Sequence, residues 1–285
     1  MNQVDSLLMG DNGGPDPDSQ KKLAGLMRTD PYDPSDFSPS HLAFKSAHND
    51  VFAKLAQYAA GGGAQAAPNV FYLDGSDGGT TRALRERHGF EAEQLYSANL
   101  FRTTVQSLCA PPVGLAGSHV YEGRAEDALA PEGWFGGVPM SAFYFDGCGG
   151  SPEPIITALE AALDAGRRQR EGAAGSRGPR INRGEGNNSE GGEDEDEERR
   201  PPCVAVGFTL TLAEPTGRAL SDREQDVFRA LVAAARRAGY GSSGAAPAPV
   251  QHVGDEPARY GVDPAARKRN GGTLTTWCVL GDHGL

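Results

Sequence analysis

Apolar and polar positions follow two different periods along the chain, and the period predicts where strands and helices lie. Short apolar runs bounded by Gly, Asp or Pro are typical of buried strands, and they alternate with segments that carry helical spacing. A chain that alternates strands and helices forms a mostly parallel sheet covered by helices. The predicted strands are 70–75, 93–99, one within 117–129, 141–150, 203–212, 248–254 and 272–281.

The predicted helices carry recognisable start and stop signals. Gly89 is placed to close the helix that follows the first strand, since glycine readily adopts the left-handed conformation of a helix end. Ser221 is a candidate N-cap, with Glu224 at the capping-box position three residues later. The polar segment 255–272 is predicted to be a loop. The predicted helices are 38–60, 80–90, 101–109, 152–168 and 221–240.

These elements predict an α/β fold, a three-layer Rossmann-like sandwich around a mostly parallel seven-stranded sheet. The last two strands are expected to form an antiparallel hairpin at one edge. One domain is predicted over 38–285, after a disordered tail over 1–37 that is rich in Asp, Pro, Gly and Ser. At about 167–202 the chain has almost no apolar residues and many charges, which predicts a disordered insertion that is a candidate contact for a partner.

Composition and charge argue against several classes of function. The net charge of -11 argues against extensive non-specific binding of nucleic acid. The four cysteines lie far apart without a C-x-x-C pair, which argues against a disulfide framework or zinc site, and we expect no metal. No apolar run reaches the roughly 20 residues of a membrane helix, and the first residues lack a secretory pattern. We therefore expect a soluble intracellular protein, cytoplasmic or nuclear.

The most informative stretch is YLDGSDGGTT, residues 72–81, where the first strand turns into a helix. In an open parallel sheet, ligands bind beyond the carboxyl ends of the strands, and glycines let the backbone approach them closely. Asp74 and Asp77 would repel a pyrophosphate but suit a cationic ligand or ribose hydroxyls. Neither a G-x-G-x-x-G fingerprint nor a phosphate-binding loop occurs, which disfavours dinucleotides and ATP.

The order of the elements and four short motifs resemble the class I S-adenosylmethionine-dependent methyltransferases over about 69–281. The motifs are YLDGSDGGTT, LYSAN, EGRAEDAL and FYFDGCGG. The resemblance implies that the corner holds the amino-acid end of S-adenosylmethionine, that the end of the second strand binds its ribose, and that the segment after the third strand flanks its adenine. The acidic end of the fourth strand then lies beside the transferred methyl. The matching residues are Asp74, Gly75, Asp77, Gly78 and Gly79 at the corner, Asn99, then Ala125, Glu126 and Asp127, and finally Asp146.

Methyl transfer from a sulfonium chiefly requires alignment of donor and acceptor, with proton removal for some acceptors. Asp146 is the candidate for positioning the acceptor or removing its proton. The acceptor, whether small molecule, protein or RNA, is not identified by the sequence. His48, together with Asn49 and Asp50, is a further candidate to border the pocket.

Two alternatives remain open. One is a catalytically inactive methyltransferase-like scaffold that uses the acidic insertion as its contact; the D-G-S-D-G-G loop and the uncharged Asn99 motivate it. The other is a different nucleotide-binding Rossmann-like enzyme. At the level of single residues, Asp74 could instead cap the following helix, Asp77 could be an ordinary turn residue, and Asn99 could simply end its strand.

Overall fold

A computed structural model describes residues 39–60, 68–146, 152–175, 203–211, 218–242, 258–260 and 273–282. The helices are α1 (Pro39–Ala59), α2 (Gly79–Arg82, continued by a π turn at Ala83–Arg87), α3 (Arg102–Cys109), α4 (Ala125–Leu129), α5 (Glu153–Gly175) and α6 (Leu220–Arg237). The strands are β1 (Val70–Tyr72), β2 (Leu95–Asn99), β3 (Val120–Glu122), β4 (Ala142–Asp146), β5 (Cys203–Thr211), β6 (Tyr240–Ser242), β7 (Ala258–Tyr260) and β8 (Thr273–Asp282).

The strands form one sheet in the order β3-β2-β1-β4-β5-β8-β6, and β7 also pairs with β8. The first five strands in this order are parallel, whereas β8 runs antiparallel to β5, β6 and β7. Since β5 occupies one edge of β8 along its length, β6 and β7 share the other edge. The prediction of seven strands was therefore wrong: the described residues form eight, although the mostly parallel sheet and its antiparallel end are as predicted.

The error in strand number arose at the edge of β8. β7 lies inside 255–272, which was predicted to be a loop, and β6 begins at Tyr240, where the sequence predicted the end of a helix. The strand predicted at 248–254 lies outside the described residues. Both observed strands are three residues long and lack an alternating apolar pattern. They are held by backbone hydrogen bonds to the edge of β8, which do not depend on the side-chain pattern.

Two apolar clusters, one on each face of the sheet, make the fold three-layered. Neighbouring residues of a strand point to opposite faces, so that Phe71 joins the cluster under α4, α5 and α6 while Val70 and Tyr72 join the cluster under α1 and α3. In β8 the buried Trp277 packs on the α1 side, stacked on Tyr144. The continuous apolar runs of the sequence are the consequence of this double coverage.

The start of α6 differs from the prediction. Its N-cap residue is Ala219, so Ser221 lies within the first turn and does not cap the helix. Glu224 is buried against the sheet, where it accepts a hydrogen bond of 2.9 Å from the Thr276 hydroxyl of β8. The capping-box pattern failed because Glu224 has a partner across the core.

The helix α5 runs to Gly175, past the position at which the charged insertion was predicted to begin. The remainder of that insertion, 176–202, and the N-terminal tail over 1–37 lie outside the described residues. Among the helices described, none combines the length and apolarity required to cross a bilayer.

Candidate functional site

Three of the predicted site residues lie side by side at the carboxyl edge of the sheet. Tyr72 is in register with Tyr144 of β4 on one side and Ser97 of β2 on the other. The amide of Leu73 donates to the Tyr144 carbonyl at 3.1 Å and continues this pairing beyond β1. Asp146 and Asn99 lie two residues beyond Tyr144 and Ser97, as Asp74 lies two residues beyond Tyr72, and the Asn99 amide contacts the Asp74 carbonyl at 3.0 Å.

The carboxylate of Asp74 is buried and is saturated by hydrogen bonds from the chain itself. Its Oδ1 accepts from the amides of Gly75 at 3.0 Å and Thr80 at 3.2 Å. Its Oδ2 accepts from the amide and the hydroxyl of Thr81, both at 2.8 Å. Four donors fill the four acceptor positions of a carboxylate, so Asp74 holds the first turn of α2, as its capping interpretation predicted.

Tyr72 extends this network into the core. Its hydroxyl lies 2.8 Å from Thr81 Oγ1, and because Thr81 donates to Asp74, Tyr72 is the donor in this contact. Burial raises the pKa of Asp74 to about 6, while the hydrogen bonds from Thr81 and Thr80 oppose that shift. Burial also raises the pKa of Tyr72, and the nearby Asp74 charge adds to the effect. The tyrosine therefore remains a neutral donor.

Gly78 has a packing role at the corner. Its φ of +60° lies in the left-handed region, and a Cβ built on it would come within 2.5 and 2.7 Å of the two γ-methyls of Val113. The loop after α3 thus packs directly on this glycine, and Arg85 secures it by donating to the Val113 carbonyl at 2.6 Å. By contrast, a Cβ on Gly79 would meet only the Asp77 carboxylate, at 3.4 Å or more.

Asp77 is the corner carboxylate that remains accessible. Its side chain is 21% exposed, and its Oδ2 lies 3.8 Å from the Arg82 guanidinium. The Gly79 amide donates to Oδ1 over a long 3.4 Å. Both contacts are weak, so this carboxylate keeps acceptor capacity toward the edge of the sheet.

Asn99 joins the ends of the first two strands. Its Nδ2 donates to the Asp74 carbonyl at 3.0 Å, and its Oδ1 accepts from the Phe101 amide at 2.8 Å. One N–H and one lone pair of the amide are left beyond these two bonds. The side chain therefore serves as a structural tie and retains limited capacity for a ligand hydroxyl.

The three residues predicted to flank adenine form the first turn of the short helix α4. Ala125 is buried, Asp127 is exposed, and Glu126 lies between these extremes and accepts from Arg124 at 3.3 Å. The segment was predicted to follow the third strand. The helix α4 follows β3, and β3 is separated from β1 by β2 in the sheet.

Asp146 ends β4 and is paired with a residue that the sequence did not identify. Its Oδ2 lies 3.1 Å from Nζ of Lys45, on α1; the aspartate side chain is 14% exposed and that of the lysine 26%. An ammonium group from α1 therefore lies among the carboxylates of this edge. Lys45 carried no periodic signal in the sequence, because the position of α1 over the sheet is a property of the tertiary fold.

His48 lies one helical turn from Lys45 and is buried beneath it. Burial lowers the pKa of His48 to about 4, with Lys45 adding to the effect and Asp146 opposing it. The imidazole is therefore neutral near pH 7, and its ring contacts Phe44 edge-on at 4.2 Å between centroids. Of its predicted companions, Asn49 is also buried, whereas Asp50 contacts His88 at 2.7 Å.

The polar residues at this edge fit S-adenosylmethionine in their chemistry. The partly exposed carboxylate of Asp77 complements positive charge, and the spare capacity of Asn99 suits a hydroxyl. The charge of Asp146 is offset by Lys45. Asp74 differs, since its acceptor positions are filled from within the chain. In the described part of the chain no three His, Cys, Asp or Glu side chains cluster as metal ligands would.

Comparison with known proteins gives a similarity of structure and none of sequence. No family model and no curated protein matches the chain. Among solved structures it is similar to geranyl diphosphate C-methyltransferase from Streptomyces coelicolor A3(2), with a TM-score of 0.39 and 10% identity over 83% of this chain and 79% of that one. DesVI from Streptomyces venezuelae gives a TM-score of 0.38 and 10% identity, with coverages of 92% and 98%.

TrmN from Thermus thermophilus is also similar, with a TM-score of 0.40 and 11% identity over 83% of this chain and 48% of that one. At TM-scores of 0.38 to 0.40 and identities of 10% to 11%, these likenesses support no conclusion about the reaction. The chain itself has five parallel strands, and β8 pairs antiparallel with the last of them, in keeping with the predicted antiparallel edge. These strands and the helices on both faces of the sheet make the fold Rossmann-like.

Proposed function

We propose that this protein is an S-adenosylmethionine-dependent methyltransferase acting on an acceptor that is still to be identified. The observation that supports the proposal best is the register of β1, β2 and β4, which brings Asp74, Asn99 and Asp146 to one edge of the sheet. A crevice at this edge is where an open parallel sheet binds its ligands. Its partly exposed carboxylates favour a cationic ligand over a phosphate.

The chain's residues have distinct proposed roles. Asp77, with Gly75 and Gly79, would contact the amino-acid end of the cofactor, while Asp74 and Gly78 hold the corner in shape. Asn99 would bind a ribose hydroxyl, and the first turn of α4 (Ala125, Glu126 and Asp127) would flank the adenine.

The cofactor would supply an electrophilic methyl group on sulfur. Asp146 would then orient the acceptor or take its proton, with its own charge moderated by Lys45. This chemistry needs alignment above all.

Calorimetric titration of the full chain with S-adenosylmethionine and S-adenosylhomocysteine tests the proposal. We expect micromolar binding of at least one of them, and about 10-fold weaker binding of S-adenosylmethionine in both Asp77→Ala and Asp146→Asn, the loss of roughly one charge-assisted contact. Glu160→Gln is the matched control, because Glu160 is an exposed carboxylate of α5 that pairs with Arg237. Asp74→Ala is a poor probe here, since its loss would disturb the corner itself.

Absence of binding by the wild-type chain to either compound would refute the proposal, and binding of NAD instead would favour another Rossmann-like enzyme. A second candidate is a methyltransferase-like scaffold without catalysis. It is favoured by the fact that the Asp74 carboxylate is saturated from within the chain and that Asn99 uses half its capacity there. Ligand binding without methyl transfer to a broad panel of acceptors would support it.

A further inference from the structure

The Lys45–Asp146 pair changes the electrostatics of the proposed cofactor site. Without Lys45, the edge would carry the negative charges of Asp77 and Asp146 and the positive charge of Arg82, which lies 3.8 Å from Asp77. With it, an ammonium group lies 3.1 Å from the carboxylate predicted to be nearest the transferred methyl. The neighbouring His48 adds no charge near pH 7, because burial lowers its pKa to about 4.

We propose that Lys45 is a specificity-determining residue of this site: its ammonium neutralises Asp146 and thereby reduces the preference for a sulfonium ligand over the uncharged thioether. The inference rests on the proposed function and deepens it. S-adenosylmethionine and S-adenosylhomocysteine differ by one methyl group and by the positive charge on sulfur. A change in local charge therefore shifts the ratio of their affinities, whereas a loss of shape weakens both.

The direction of each substitution follows from Coulomb's law. Lys45→Met removes a positive charge and leaves Asp146 unneutralised, so it should increase the preference for S-adenosylmethionine by about 3- to 10-fold, as expected for one charge several ångströms away in partly screened surroundings. Asp146→Asn leaves the ammonium without the carboxylate and should shift the ratio in the opposite direction. The double variant should return toward the wild-type ratio.

Two control variants separate charge from structure. Lys45→Arg keeps the positive charge and should stay within about 2-fold of the wild-type ratio. Lys54→Met removes a charge from the same helix at an exposed position. Nine residues along α1 correspond to about 13 Å, beyond the Debye length of about 10 Å at 0.1 M salt, so this variant should leave the ratio unchanged.

The experiment is calorimetric titration of the two compounds into the full-length wild type and these variants, at low and at moderate salt. Opposite shifts for Lys45→Met and Asp146→Asn that shrink as salt is added would support the inference. An unchanged ratio in Lys45→Met, with both compounds still bound, would overturn it and leave the proposed function standing. Failure of the wild type to bind either compound would overturn both. If Lys45→Met does not fold, Lys45→Gln takes its place, and an unchanged ratio in that variant would overturn the inference.

Discussion

The replacement of Asp74 by alanine tests whether this carboxylate chiefly builds the corner. Asp74 accepts hydrogen bonds from three backbone amides and one hydroxyl, and the strongest donors, those of Thr81, are fully buried. Alanine removes both acceptor oxygens and offers nothing in return. The amides of Thr80 and Thr81 would then be left without partners in a region that excludes water.

The expected loss follows from these contacts. A buried polar group left without its partner costs about 1–3 kcal/mol. Two buried amides therefore cost about 2–6 kcal/mol, and partial entry of water brings our expectation to about 3 kcal/mol. For a domain of this size, each kcal/mol lowers the midpoint of thermal unfolding by about 2–4 °C. Asp74→Ala should thus lower it by about 6–12 °C.

Asp77→Ala is the matched control, because Asp77 lies three residues away in the same turn. Its contacts are an amide at 3.4 Å and a guanidinium at 3.8 Å, both partly exposed. Such contacts contribute about 0–1 kcal/mol, so the midpoint should fall by less than about 3 °C. The two variants remove the same chemical group and differ in burial and in hydrogen bonds.

Thermal unfolding at pH 7, followed by far-ultraviolet circular dichroism and supported by urea titration, would measure both variants. Equal shifts for Asp74→Ala and Asp77→Ala would refute the reasoning, since the saturated carboxylate would then contribute no more than the accessible one. A loss of less than about 1 kcal/mol for Asp74→Ala would have the same meaning.

Three further predictions concern the corner and its surroundings. Gly89→Ala should lower the free energy of unfolding by about 1 kcal/mol, because the residue has a φ of +70° but no neighbour that a Cβ would meet. Gly78→Ala should lower it by about 2–4 kcal/mol, since its Cβ would also clash with Val113. Urea unfolding of both variants measures the difference. Burial raises the pKa of Asp74 from 3.8 to about 6, so the folded state holds this proton more tightly than the unfolded state. The free energy of unfolding should therefore rise by about 2 kcal/mol as the pH falls from 7 to 4, and this gain should vanish in Asp74→Asn. The lowered pKa of His48 acts in the opposite sense, since the free energy of unfolding falls by about 3 kcal/mol as the pH falls from 6.5 to 4. Urea titrations of His48→Gln at pH 7 and 4 should show that this loss is absent.

Much of the fold was predictable because strands buried on both faces leave continuous apolar runs. Those runs located β1, β2, β4, β5 and β8 and hence the order of the elements. The ends of the runs also identified Asp74, Asn99 and Asp146 as residues of the carboxyl edge. Parallel strands bring such ends together whatever their loops contain, and so this part of the candidate site could be named from sequence alone.

The sequence could not distinguish a ligand-binding carboxylate from a capping one. Asp74 and Asp77 occupy the same glycine-rich stretch, and only the three-dimensional course of the turn reveals that the first is saturated by Thr80 and Thr81 while the second is not. Gly78 is a similar case. Its need for glycine arises from Val113, 35 residues later in the chain.

The periodic pattern of the chain by itself determined the α/β class, the alternation of strands and helices, and the placement of polar residues after buried strands. The tertiary structure decided which of those residues meet each other, that Lys45 of α1 approaches Asp146, that Glu224 faces Thr276, and that β6 and β7 pair with β8. The physical reason is range: local hydrophobic spacing records which face of an element is buried, whereas a contact between distant residues depends on how whole elements pack, and no local pattern encodes that.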